Sequence, residues 1–403
     1  MTSSVQEVLK ERIALRGPVS FAEFMELALY WPRGGYYSEA ASERHLADFF
    51  TAPTAHPAFG ALLSLQLEEM WQVLGRPSLF TIVEPGAGTG LLSLDILRYA
   101  QHLEPGFQRA VRYCAIDRHH RYGRELPGAG VEWIRAAGMP LRGFTGCVLS
   151  NELLDALPVH RVTVREGRLQ ELFVGYKDGQ FVEVVGGPST AALGTRLAAE
   201  DVTLAEGQRA EICLALEPWV RDVAASLERG FVLTVDYGHP AQTLYAPERH
   251  QGSLRCYYQH TLSGNPYVRV GAQDITAHVD FTAITALGEH HGLGNLGLVS
   301  QGSFLTNLGL AGLQRRLAGQ GLGQRERDAN RMGMLELGRA GGMGEFKVLV
   351  QSKDIDEARL TGLKGGSPAW ARRLEELPLP LLGEEHMRLM EARYPHTAWQ
   401  WEG

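Results

Sequence analysis

Glu84-Pro85-Gly86-Ala87-Gly88-Thr89-Gly90 is the stretch that decides the fold. It follows a short apolar run at 80–83 and precedes a helical pattern over Leu91–Ala100. A strand, a glycine-rich turn and a helix in that order build a site where backbone approaches a ligand closely. Glycine falls at i, i+2 and i+4. The dinucleotide fingerprint places its third glycine at i+5, and no Walker lysine-serine pair follows. The spacing therefore suits a nucleoside ligand without phosphates, held by Gly86, Ala87, Gly88 and Gly90. Glu84 is placed to accept the ammonium of an amino-acid moiety.

Working outward, strands at 110–116, 131–134 and 145–150 alternate with helical patterns at 120–126 and 152–156. That alternation predicts a parallel sheet covered on both faces. Asp117 ends the second strand, where an acid accepts hydrogen bonds from both ribose hydroxyls. Glycine turn, acidic strand end and alternating order together point to S-adenosylmethionine, with a nicotinamide nucleotide as the minor alternative. Upstream, Phe21–Tyr30 is apolar at helical spacing and stops before Trp31-Pro32, and a second helix is expected over 57–74. Downstream, segments 161–164, 169–175 and 180–185 around Arg165-Glu166-Gly167-Arg168 and Lys177-Asp178-Gly179 read as inserted antiparallel hairpins. A helix at 218–227, a strand at 231–235, a long irregular stretch to Gln273, a helix over Phe281–His290 and strands at 296–300 and 346–351 follow. A polar tail with Pro378 and Pro380 ends in a short helix near 384–394.

Composition bounds the function. The 403 residues are 44% hydrophobic and 21% charged, as in an ordinary globular protein, which excludes disordered and fibrous classes. The net charge of −7 argues against a general nucleic-acid binder. No apolar run approaches a membrane span, and the start carries Glu7 and Glu11 in place of a secretory or transit signal. Cys114, Cys147, Cys213 and Cys256 lie far apart without a CxxC pair, so neither a metal site nor a disulfide framework is expected. These features together predict a cytoplasmic protein.

Many short motifs, in order, resemble one family. They include Gly17-Pro18-Val19-Ser20-Phe21, Gly35-Tyr36-Tyr37, Asp48-Phe49-Phe50-Thr51, Phe59-Gly60, residues 84–90 and Asp95-Ile96-Leu97-Arg98. Asn151-Glu152-Leu153-Leu154-Asp155-Ala156-Leu157-Pro158-Val159, Asp236-Tyr237-Gly238, Gly252-Ser253-Leu254-Arg255, residues 274–281 and Phe346-Lys347-Val348-Leu349 continue the series. The chain is similar to the MidA-like methyltransferases, which include mitochondrial complex I assembly methyltransferases and bacterial relatives. The resemblance spans about 17–352 and departs at Thr54, where the family offers an acid. It implies an α/β class I methyltransferase (Rossmann-like) fold with an antiparallel last strand, S-adenosylmethionine as donor and protein arginine as one acceptor. The expected layout is an N-terminal helical lid at 1–78, a core at 79–352 with insertions at about 159–210 and 239–295, and an extension at 353–403.

The carboxyl ends of parallel strands hold the ligand, which puts Ser150, Asn151 and Glu152 beside the transferring methyl. Asp155, one helical turn on, is expected to share a face with Glu152, and two acids suit a guanidinium fork. Asp155 could instead cap a helix or pair with Arg161. Asp236 ends the fifth strand and borders the same crevice, or is structural. His160 is the nearest candidate base. Asp280 is expected as a helix N-cap. Arg255 and His260 are weaker acceptor-side candidates, and Tyr36 and Tyr37 belong to the lid or to a core. The acceptor is a protein side chain or a small molecule, and a non-catalytic assembly role is the third reading.

Overall fold

The computed structural model describes residues 4–38, 51–118, 130–258 and 261–386. The expected helix at 120–126, His260 and the Asp48-Phe49-Phe50 motif lie outside them, and the helix near 384–394 extends beyond them. The chain divides into two compact units. One comprises Met1–Phe49, Leu153–Val220 and Tyr237–Leu287, and the other Phe50–Glu152, Arg221–Asp236 and Gly288–Gly403.

The second unit is built on seven strands: β1 Phe80–Pro85, β2 Val111–Asp117, β3 Val131–Arg135, β4 Phe144–Asn151, β5 Leu227–Asp236, β6 Gly294–Ser300 and β7 Lys347–Lys353. Their order in the sheet is β6-β7-β5-β4-β1-β2-β3. β5, β4, β1, β2 and β3 run parallel, while β7 pairs antiparallel with both β5 and β6. This is the class I methyltransferase sheet with its reversed last strand, as the resemblance implies. β1 is buried at all six positions, its apolar Phe80, Ile82 and Val83 together with Thr81 and Glu84. Two glycines thin the centre of the sheet. A Cβ on Gly146 of β4 would lie 1.9 Å from the Thr81 carbonyl oxygen, and one on Gly230 of β5 would lie 2.0 Å from that of Gly146.

Helices Ala58–Val73 and Leu91–Ala100 cover this sheet, and Phe59, Leu62, Leu67, Met70 and Phe80 are buried in one core. Three helices that hydrophobic spacing had not isolated, Gln301–Leu308, Leu310–Leu317 and Gln324–Leu337, add Phe304, Leu313 and Met334 to it. The polar tail is part of the same unit. Its Thr361 amide and hydroxyl donate to the two Glu69 carboxylate oxygens at 2.8 Å each, and Leu374 and Leu377 are buried. Thr54, where the resemblance breaks, completes a capping box: its hydroxyl accepts from the Thr51 amide at 3.0 Å and donates to the Thr51 carbonyl at 2.9 Å.

The first unit carries the hairpins expected in the sequence, now as His160–Arg165, Arg168–Lys177 and Gln180–Gly186, with Arg209–Ile212 added. Strand Val19–Ser20 pairs with Arg168–Lys177 in this sheet. Phe21, Phe24, Met25 and Tyr36 are fully buried beside Val174 and Ile275. The described N-terminal residues through Ser38 are therefore an integral part of this unit's sheet and core. The stretch expected to be irregular up to Gln273 contributes Arg255–Tyr258 and Thr261–Ser263 to a three-stranded sheet that Asp274–Thr276 completes. No helix among the described residues is long and apolar enough to cross a membrane.

Candidate active site

In the second unit, Gly86, Gly88 and Gly90 all adopt positive φ, at 75°, 55° and 77°. A side chain rarely tolerates one such residue, and here three alternate within five. The Gly86 and Ala87 amides donate to the Ile116 carbonyl at 2.8 and 3.2 Å, which lays the loop over the end of β2. The Gly88 amide donates to the Asp117 carboxylate at 3.1 Å. Asp117 is thus fixed against the loop. The glycines differ in what a Cβ would meet. At Gly90 it would strike the Trp133 ring at 2.6 Å, whereas at Gly88 only the Gly86 carbonyl oxygen comes as near as 4.0 Å. Gly90 is required by packing, and Gly88 faces open space.

Glu84 is the last residue but one of β1 and is only 4% exposed. The Tyr113 hydroxyl donates to its carboxylate at 2.9 Å. Burial pushes the Glu84 carboxyl up to about 8, with the Tyr113 bond opposing and Asp117 adding to the rise. Burial likewise drives the Tyr113 hydroxyl well above its ordinary value. Tyr113 was not foreseen, because its place opposite Glu84 arises only once β1 and β2 pair in register, Val83 with Cys114 and Glu84 with Ala115.

Ser150 and Asn151 end β4, and their β5 partners are Thr234 and Val235. The Ser150 hydroxyl and the Asn151 side-chain oxygen Oδ1 are buried without a hydrogen-bond partner among the described residues. Buried polar groups are normally satisfied, so two orphans at adjacent strand ends mark a place where a polar ligand would supply the missing bonds. Together with the open face of Gly88 and the Asp117 carboxylate, they fit a nucleoside with an amino-acid arm. Glu84, Gly86, Ala87, Gly88, Gly90, Asp117, Ser150 and Asn151 are the candidates to hold the methyl donor.

Glu152 corrects an expectation. Its φ is +49°, a conformation unusual outside glycine. Only Leu154–Ala156 forms a single 3₁₀ turn, and no helix spans 152–156. The supposed one-turn spacing that would align Glu152 and Asp155 on a helical face therefore does not exist. Glu152 is held in its turn by its amide donating to the Val235 carbonyl at 2.9 Å and by the Asn151 amide group donating to its carboxylate at 3.1 Å. Backbone strain of this kind persists where surrounding contacts over-determine it, and it concentrates at functional sites. Asp236, fully buried, ends β5 in the same unit.

Asp155 and His160 belong to the first unit. Asp155 is 5% exposed, and the Tyr237 hydroxyl donates to its carboxylate. Burial raises the Asp155 carboxyl, while that bond and the turn's own amides hold it back. Neither a helix cap nor an Arg161 pair accounts for it. Arg161 instead meets Glu183 at 3.0 Å and Glu211 at 3.5 Å. His160 Nδ1 lies 2.8 Å from the Glu171 carboxylate, which also accepts the Ser189 amide at 2.6 Å. That pairing gives His160 a place in the hairpin sheet without recourse to chemistry. Asp280 accepts the Ala283 amide at 3.0 Å, the expected N-cap. Tyr36 is buried core, whereas Tyr37 donates to Asp274 at 3.0 Å.

Comparison with known proteins agrees with this geometry. Residues 62–299, more than half the chain, match a family model described as S-adenosyl-L-methionine-dependent methyltransferase. The mitochondrial protein arginine methyltransferase NDUFAF7 homolog of Drosophila melanogaster is 30% identical over 78% of this chain and 77% of its own. The Danio rerio NDUFAF7 is 27% identical over 77% and 78%. A Burkholderia thailandensis protein crystallised with S-adenosyl-homocysteine superposes with a TM-score of 0.76 at 31% identity, covering 91% of this chain and 96% of that one. With its seven-stranded sheet, alternating left-handed glycines and acidic strand ends, this chain belongs to the S-adenosylmethionine-dependent methyltransferase family that its sequence resembles, and it is an enzyme of the class I fold.

Proposed function

We propose that this enzyme methylates arginine in a protein acceptor. The observation that carries the reading is Glu152, a carboxylate fixed at the carboxyl end of β4 by a strained turn and by Asn151. The donor supplies a methyl group on a positively charged sulfur. A guanidinium stays charged at neutral pH and its nitrogen lone pairs are delocalised. A rigid carboxylate localises that charge and fixes one nitrogen. The relatives named as protein arginine methyltransferases, aligned over about three quarters of both chains, support the same reading. A small-molecule oxygen acceptor would need a base, and His160, its nearest candidate, is held by Glu171. We place the enzyme in the cytoplasm, a reducing compartment that suits the wide spacing of Cys114, Cys147, Cys213 and Cys256 along the sequence.

The test is labelled methyl transfer into a fractionated lysate, followed by acid hydrolysis and amino-acid analysis. Label in methylarginine is expected. Label confined to small molecules would overturn the proposal.

A further inference from the structure

We infer that Asp155, walled by Tyr37 and Tyr237, is the site in the first unit that takes the acceptor's cationic side chain. This rests on the arginine reading and names a different residue set from the strand-end acid Glu152. Asp155 is buried, and its Oδ1 makes no hydrogen bond among the described residues. No ion pair joins it to a cation among those residues, although a buried carboxylate normally requires one. Its other oxygen receives the Tyr237 hydroxyl. Burial also forces the Tyr37 hydroxyl well above its ordinary value, and Asp274, Tyr30 and Asp155 all act on it, which places Tyr37 in the same polar cluster as Asp155.

The walls suit a cation. Tyr30 stacks on Tyr37 with ring centroids 5.6 Å apart and planes 20° from parallel, and its hydroxyl donates to the Ala156 carbonyl at 2.8 Å, one residue past Asp155. Tyr37 donates to Asp274, and the Ala277 amide donates to the Asp155 carbonyl at 2.9 Å, tying the Asp274 strand to the Asp155 turn. Tyr30, Tyr37 and Tyr237 are each only partly buried, while Asp155 is buried. An enclosed anion among accessible aromatic rings is the arrangement that binds planar guanidinium, by ion pairing and by stacking.

The experiment uses the full chain with S-adenosyl-homocysteine present at pH 8, and two probes: N-acetyl-arginine N-methylamide and its neutral citrulline counterpart. Binding is read by saturation-transfer NMR titration, and folding by thermal unfolding. The arginine probe is expected to bind at least about tenfold tighter than the citrulline probe, the loss of one charge-assisted pair. Asp155→Asn should abolish that preference. Tyr237→Phe should keep it within about threefold and Tyr237→Leu should lose it, since the ring carries the stacking. Equal binding of the two probes, or a folded Asp155→Asn protein that still prefers arginine, overturns the inference. Should Asp155→Asn fail to fold, the Tyr237 pair decides: a Leu variant that binds like the Phe variant overturns it. Methylarginine in the lysate with no Asp155 dependence here would sink this inference and leave the proposed function standing. Arginine preference through Asp155 with label only in other residues would do the reverse.

Discussion

Gly88 and Gly90 allow one perturbation to separate ligand space from packing. Both are left-handed, at φ 55° and 77°. Alanine at either costs about 1–2 kcal/mol of backbone strain, partly offset by about 0.4–1 kcal/mol from a stiffer unfolded chain. At Gly88 the new methyl meets nothing closer than 4.0 Å, so Gly88→Ala should lower stability by only about 1 kcal/mol. At Gly90 the methyl would sit 2.6 Å from the Trp133 ring, and overpacking adds about 1–3 kcal/mol. Gly90→Ala should therefore be the more destabilised of the two by urea unfolding. Donor binding should rank differently. If the space beside Gly88 belongs to the donor, Gly88→Ala should weaken S-adenosylmethionine binding by at least tenfold in calorimetry on a folded protein. A Gly88→Ala protein with wild-type donor affinity would refute the assignment of this loop.

Further predictions concern protons, acids and the chain ends. Folded Glu84 keeps its proton up to about pH 8, while the unfolded chain releases it near 4.5. The folded state thus binds the extra proton between those values, and stability should fall as pH rises through that window, by up to about 1.4 kcal/mol per unit. Glu84→Gln should flatten that slope in denaturation midpoints measured from pH 5 to 8. Binding a donor ammonium at pH 7 should also release protons from wild type but not from Glu84→Gln, as read by calorimetry in buffers of different ionisation heat. Glu152→Gln should keep donor affinity but cut turnover by about 10–100-fold, the value of a charge-assisted hydrogen bond, with His160→Ala affecting turnover less. The opposite ranking would favour an oxygen acceptor. Deleting residues 1–38 should unfold the first unit, because Phe21, Phe24 and Tyr36 are fully buried in its core; a truncated protein with unchanged near-ultraviolet dichroism would contradict that. His386 Nε2 lies 3.0 Å from the buried Asp95 carboxylate, so His386→Ala should cost about 1–3 kcal/mol, a loss that unchanged unfolding would disprove.

The glycine turn and the strand that precedes it were legible because their signals are local. Residues 84–90 announce the turn through glycine spacing, and Asp117 announces itself by ending a strand. Helices Phe21–Tyr30, Leu91–Ala100 and Phe281–His290 have the limits their apolar spacing predicts. What stayed hidden is non-local. Tyr113 reaches Glu84 only through strand register, and Tyr237 reaches Asp155 from 82 positions away. The error at Glu152 has a plain cause. Acids three apart read as one helical face, but a left-handed residue at the first position turns the chain before a helix can start. The tail looked inert because its apolar residues Leu360, Leu374 and Leu377 are sparse, and its bonds to Glu69 and Gln66 come from a helix nearly 300 residues away.

The central claim is that protein arginine accepts the methyl group at a carboxylate-bearing site. Its most direct test is to incubate the purified enzyme with methyl-labelled donor and fractionated lysate, then resolve the labelled amino acids after hydrolysis, beside a Glu152→Gln control. Label in methylarginine that falls by about 10–100-fold in the control is the predicted result. Label in small molecules only, or in methylarginine at the same level with Glu152→Gln, would contradict it.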